Sequence, residues 1–146
     1  MSGHTPLAPE QLESRRRLSQ QVRNELAGAG LPVMSDVDPT LSYGVFTELD
    51  LRAPEDDAVY VSWQPHHLLG SAAMAQLGRG GGQSAVMSHF GAVVDAMTDA
   101  IAAILRSAGF QVEQMEESPE LRVTAGSERS VLQSLLAADP PGRPGR

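Results

Sequence analysis

The amino-acid sequence predicts an α+β fold, a four-stranded antiparallel sheet of two hairpins packed against helices in the order α-β-β-(α)-α-β-β-α. Three observations predict it. Between residues 88 and 112, Phe90, Val93, Val94, Met97, Ile101, Ile104, Leu105 and Ala108 recur at the i, i+3, i+4, i+7 spacing of a helix with one buried face. Residues 43–52 and 58–63 alternate apolar and polar side chains across a short polar loop, which is the period of two half-buried strands joined as a hairpin. Two further short runs, 110–115 and 120–124, flank the turn sequence Glu117-Ser118-Pro119 and predict a second hairpin.

Taken in order, residues 1–8 read as a loose arm containing Pro6. Pro9-Glu10 suits a helix's first turn, because proline there has no hydrogen bond to lose and glutamate faces the positive end of the dipole. That helix runs to about Ala27 and presents Leu12, Leu18, Val22 and Leu26. Arg15, Arg16 and Arg17 interrupt the stripe with charge and read as a solvated face. The stretch Leu26 to Val33 echoes Leu105 to Val112: leucine, then alanine-glycine, then an apolar residue and a valine. Two glycine-terminated helices need those residues, so the echo is read as end-capping chemistry rather than as a repeated unit.

Residues 35–42 form a turn-rich connection, and 53–57 a polar loop between the first two strands, with Val59, Val61 and Trp63 on one face. Pro65 ends the second strand. Leu68, Leu69, Ala72, Ala73 and Leu77 permit a short helix, but Gly78 to Gly82 hold no regular element, so 64–83 is expected to be a flexible segment. Ser88 is the expected N-cap of the central helix, with Ser84 as an earlier alternative. Ala108-Gly109-Phe110 is its expected Schellman stop. Ser127 then caps a last helix carrying Val131, Leu132, Leu135 and Leu136. The Pro/Gly/Arg tail at 139–146 is disordered by composition. The chain is thus expected to hold a single domain over 9–138, and its 146 residues are enough for an ordinary core.

This order of elements is similar to that of the small dimeric chaperone-like domains related to type III secretion chaperones. The resemblance rests on element order and implies a homodimer that holds a protein partner.

Composition narrows the function. The chain has no cysteine, which removes thiol chemistry and cysteine-ligated zinc. Its net charge is −7, so a phosphate backbone would be repelled and nucleic acid is not the expected partner. No run reaches the roughly 18 apolar residues of a membrane span, and no signal peptide pattern opens the sequence; a cytoplasmic protein without membrane contact is expected.

Three sets of residues could carry chemistry. His66, His67 and His89, with Asp95 or Asp99, are proper ligands for zinc or iron and would suit a small metal-dependent hydrolase. Adjacent histidines do not match helical ligand spacing, however, and no metal or cofactor is expected. Arg15, Arg16, Arg17 and Arg23 on the first helix would suit a regulator contacting DNA. The function most in keeping with the sequence is a non-enzymatic binding module, expected to be a homodimer, that holds a protein or peptide through Trp63, Leu68, Leu69 and Met74. A sheet edge that accepts a strand, and adaptable methionines, agree with that function.

Overall fold

The structure, a computed structural model, describes residues 8–34, 42–49, 58–78 and 85–125. They form α1 (Pro9–Gly28), β1 (Gly44–Leu49), β2 (Val59–Gln64), α2 (His67–Gly78), α3 (Ala85–Ser107), β3 (Gln111–Gln114) and β4 (Leu121–Ala125). The expected arm to residue 7, the loop 53–57, the glycine run beyond Gly78, the last helix at 127–138 and the tail lie outside the described residues. The fold is α+β. Both hairpins form, and they meet through their second strands, in the antiparallel order β1-β2-β4-β3.

Strand alternation decides which side chains face the helices. Val45, Val59, Val61, Leu121 and Val123 are fully buried and join Leu18, Val22 and Leu26 of α1 with Ile101, Ala102 and Leu105 of α3 in one core. Pairing sets Val45 against Trp63, Val59 against Val123 and Val61 against Leu121 on this face. The opposite face carries Phe46, Glu48, Tyr60, Ser62 and Arg122, because side chains in a strand point alternately to the two sides.

α1 begins at Pro9, and the Gln11 side chain reaches back to accept the Ala8 amide at 3.0 Å. Its inward stripe is Arg15, Leu18, Ser19, Val22 and Leu26. Arg15 is only 2% exposed, which corrects its assignment to a solvated face. Position 15 precedes 18, 19, 22 and 26 at helical spacing, so the residue belongs to the stripe rather than interrupting it. Arg16 and Arg17 are exposed, as expected.

Both glycine endings are Schellman motifs. Gly109 has φ 96°, its amide donates to the Arg106 carbonyl, and Phe110 donates to Leu105, each at 3.0 Å. Gly30 has φ 98°, with the matching bonds Gly30 to Ala27 and Leu31 to Leu26 at 3.0 and 3.1 Å. The paths then diverge. Val112 enters an antiparallel pair with Val123, whereas Val33 makes an isolated parallel bridge to Val45. The echo therefore covers the caps and stops there.

α3 starts at Ala85, so Ser88 lies inside the helix rather than at its cap; Ala85, Val86 and Met87 continue the apolar pattern one turn upstream. Ser84 is outside the described residues. Only Thr98, Ile101, Ala102 and Leu105 of this helix are buried, while Phe90, Val93, Val94 and Met97 are half-buried. The stripe thus serves the core along its second half alone. Thr98 is also buried, its hydroxyl satisfied by donating to the Val94 carbonyl at 2.7 Å. By length and composition α3 is long and apolar enough to cross a membrane, contrary to the expectation that no run is.

Candidate functional site

Two surfaces stand out, and they meet at Phe90. The first is formed by α2 and the first turns of α3. Within the segment expected to be flexible, residues 67–78 form a twelve-residue helix, α2, which packs chiefly on α3. Its start is set by His66, whose Nδ1 accepts the Leu68 amide at 3.1 Å, while its carbonyl accepts from Leu69 and Gly70 at 3.0 and 3.2 Å. Histidine here does the work of a serine or aspartate N-cap. No Asp, Glu, Lys or Arg occurs anywhere in α2 or in α3 before Asp95.

Apolar residues occupy every side of α2, yet among those whose side chains are described only Ala73 is buried. Leu68 is 70% and Met74 66% exposed; Leu69 is half-buried. Between the two helices runs a shallow groove of about 830 Å³ lined by Ala73, Met74, Met87 and Phe90.

The second surface is a cleft of about 840 Å³ at one end of the sheet. β4 begins at Leu121 opposite Val61, so Ser62, Trp63 and Gln64 of β2 extend past it with no β4 neighbour. The 115–120 turn fills part of that end. Met115 donates to the Glu120 carbonyl at 3.2 Å, Ser118 Oγ bonds Glu120 Oε1 at 3.0 Å, and the Thr98 hydroxyl reaches the Pro119 carbonyl at 3.4 Å. Phe46, Trp63, Phe90, Val94 and Met115 supply apolar wall, and Glu48, Asp95, Glu116, Glu117 and Glu120 supply charge; among the described residues no arginine lines the cleft. The Trp63 indole nitrogen is buried without a hydrogen-bond acceptor among the described residues.

Of the four residues expected to bind a partner, Leu68, Leu69 and Met74 belong to the helical surface and Trp63 to the cleft wall. The sequence did not point to the acidic turn as part of a site; the signal was Met115 to Glu120, an acidic run beside a strand end.

The histidines do not come together as a set. His66 and His67 stack with ring centroids 4.1 Å apart, and Tyr43 lies 4.9 Å from His66. His89 is exposed on α3. Among the described residues no three His, Asp or Glu side chains meet in a group that could hold a metal ion. Asp99 accepts a bond from Gln114 at 3.2 Å. Of the arginines weighed for DNA, Arg15 is buried and Arg23 is half-buried, donating to Thr47 Oγ1 at 2.9 Å, so Arg16 and Arg17 alone are exposed. The sheet edges are partly taken: Val45 exchanges bonds of 2.8 Å with Pro32 and Met34, and Arg106 donates to the Val112 carbonyl of β3 at 3.0 Å.

No protein family, no curated protein and no solved structure matches this chain.

Proposed function

We propose that this chain is a non-enzymatic binding module that works as a homodimer and holds a protein or peptide partner. The observation that supports it is the uncharged surface of α2 and the first half of α3, with Leu68 and Met74 exposed. A helix that is apolar all round is ordinarily buried against something, and among the described elements α2 packs chiefly on α3. Interface cores are depleted in charge, as this surface is. For a chain of net charge −7, it is also a place where two copies can meet without bringing like charges together. A two-fold pairing would set the patch against itself. Trp63 and the acidic turn, on the side of the cleft away from the shared Phe90, are then left to hold a peptide.

The test is sedimentation velocity of the full chain and of the double variant Leu68→Glu with Met74→Glu. Both side chains are exposed, so the variant should keep its circular dichroism. The expected result is a dimer that the variant converts to monomer. A dimer indifferent to both substitutions would remove α2 from the interface, and a monomer at every concentration would remove the homodimer.

A further inference from the structure

We infer that the cleft beside Trp63 takes a cationic, amphipathic peptide segment, with arginine or lysine side chains alternating with apolar ones. The inference rests on the proposed peptide-holding function and names the chemistry of the peptide. Charge complementarity carries it. Five carboxylates, those of Glu48, Asp95, Glu116, Glu117 and Glu120, line the cleft, and among the described residues no basic side chain joins them. Glu48, Asp95, Glu116 and Glu117 are exposed at its margin. Like charges gathered around a concave surface reinforce one another's field and attract the opposite sign.

The walls between the carboxylates favour a peptide over a simple cation. Phe46, 38% exposed, projects from the sheet face that no described helix covers, and Trp63, Phe90 and Met115 add two aromatic surfaces and an adaptable one. At about 840 Å³ the cleft is in the upper part of the usual range for ligand sites. Aromatic faces beside carboxylates also suit a guanidinium group, which stacks on the one and pairs with the other.

Trp63 is the single tryptophan of the chain, so its fluorescence reports on the cleft without a label. The experiment titrates the full-length protein with three capped octapeptides: alternating Arg and Leu, alternating Ser and Leu, and alternating Glu and Leu. It repeats the first titration with Glu116→Gln/Glu117→Gln, two exposed positions away from the core. The expected result is a saturable change with the Arg/Leu peptide, weakened by added salt and about fivefold weaker in the double variant, with no change from the Glu/Leu peptide. Equal binding of the Ser/Leu peptide, or an unaltered titration in the double variant, would overturn the cationic inference and leave the peptide-holding function standing. No response to any peptide would overturn both.

Discussion

Gly44 offers the sharpest test of how the chain is assembled around the cleft. It has φ +108°, and a Cβ built there would meet the Pro32 carbonyl, with the carbonyl carbon at 2.9 Å and the oxygen nearer still. That oxygen accepts the Val45 amide at 2.8 Å, and the Val45 carbonyl accepts Met34 at 2.8 Å, so the clash falls on the bonds that tie 32–34 to β1. Gly44→Ala therefore adds a left-handed strain of about 1–2 kcal/mol to the weakening of two hydrogen bonds at about 0.5–1.5 kcal/mol each, about 2–5 kcal/mol altogether.

Gly30 is the control. Its φ is +98°, with nothing within 4 Å of a built Cβ, so Gly30→Ala keeps only the strain of about 1–2 kcal/mol. Urea unfolding followed by far-ultraviolet circular dichroism and Trp63 emission gives both differences from the midpoint at constant slope. Gly44→Ala should be the more destabilising by at least about 1 kcal/mol, or about 3 °C in Tm. Equal losses would show that Pro32 does not pack against Gly44, and the edge described at β1 would be wrong.

Three other substitutions probe particular claims. His66→Ala should remove the cap of α2 at a cost of about 1 kcal/mol and speed amide exchange across 67–78, with His66→Asn restoring protection; unaltered exchange would show that the imidazole does not cap. Arg15→Ala should lower stability by about 3 kcal/mol or more, since it empties a fully buried site, whereas Arg16→Ala should change it by less than about 0.5 kcal/mol; similar losses by urea titration would place Arg15 in solvent. Burial raises the Glu25 carboxyl above its usual value. Its folded form thus holds the proton more tightly than the unfolded chain, and the stability this gives is complete below the unfolded value and lost as pH rises through the folded one. Glu25→Gln should remove that loss, so the variant gains on the parent between acidic and neutral pH; a gap independent of pH would contradict the assignment.

The elements most legible in the sequence were those with local causes. Gly30 and Gly109 announced two left-handed helix ends, because few other residues accept that geometry. Alternation through Val45, Thr47 and Leu49, and through Val59, Val61 and Trp63, gave the hairpin and its inward face. Pairing of β2 with β4 was not legible, since no local signal says which strands of two hairpins become neighbours. The same holds for the bridge from Val33 to Val45, which joins residues separated by a turn-rich connection. Arg15 was misplaced because residue type was weighed above position: the stripe pointed it inward, and its charge argued it outward. α2 was expected to be at most a short helix in a flexible stretch, since the run from Gly78 argued against a regular element and histidine is not a usual N-cap residue. The helical surface was partly legible in Leu68, Leu69 and Met74. The acidic cleft was not, because its carboxylates come from β1, α3 and the 115–120 turn, which only the folded sheet brings together.

Native mass spectrometry of the untagged full-length chain, across a dilution series, tests the binding-module proposal most directly, because subunit count and bound metal are read in one spectrum. The expected result is a metal-free dimer that dissociates on dilution and is absent from the Leu68→Glu/Met74→Glu variant. A monomer at every concentration, or a chain carrying one tightly held metal ion, would contradict it.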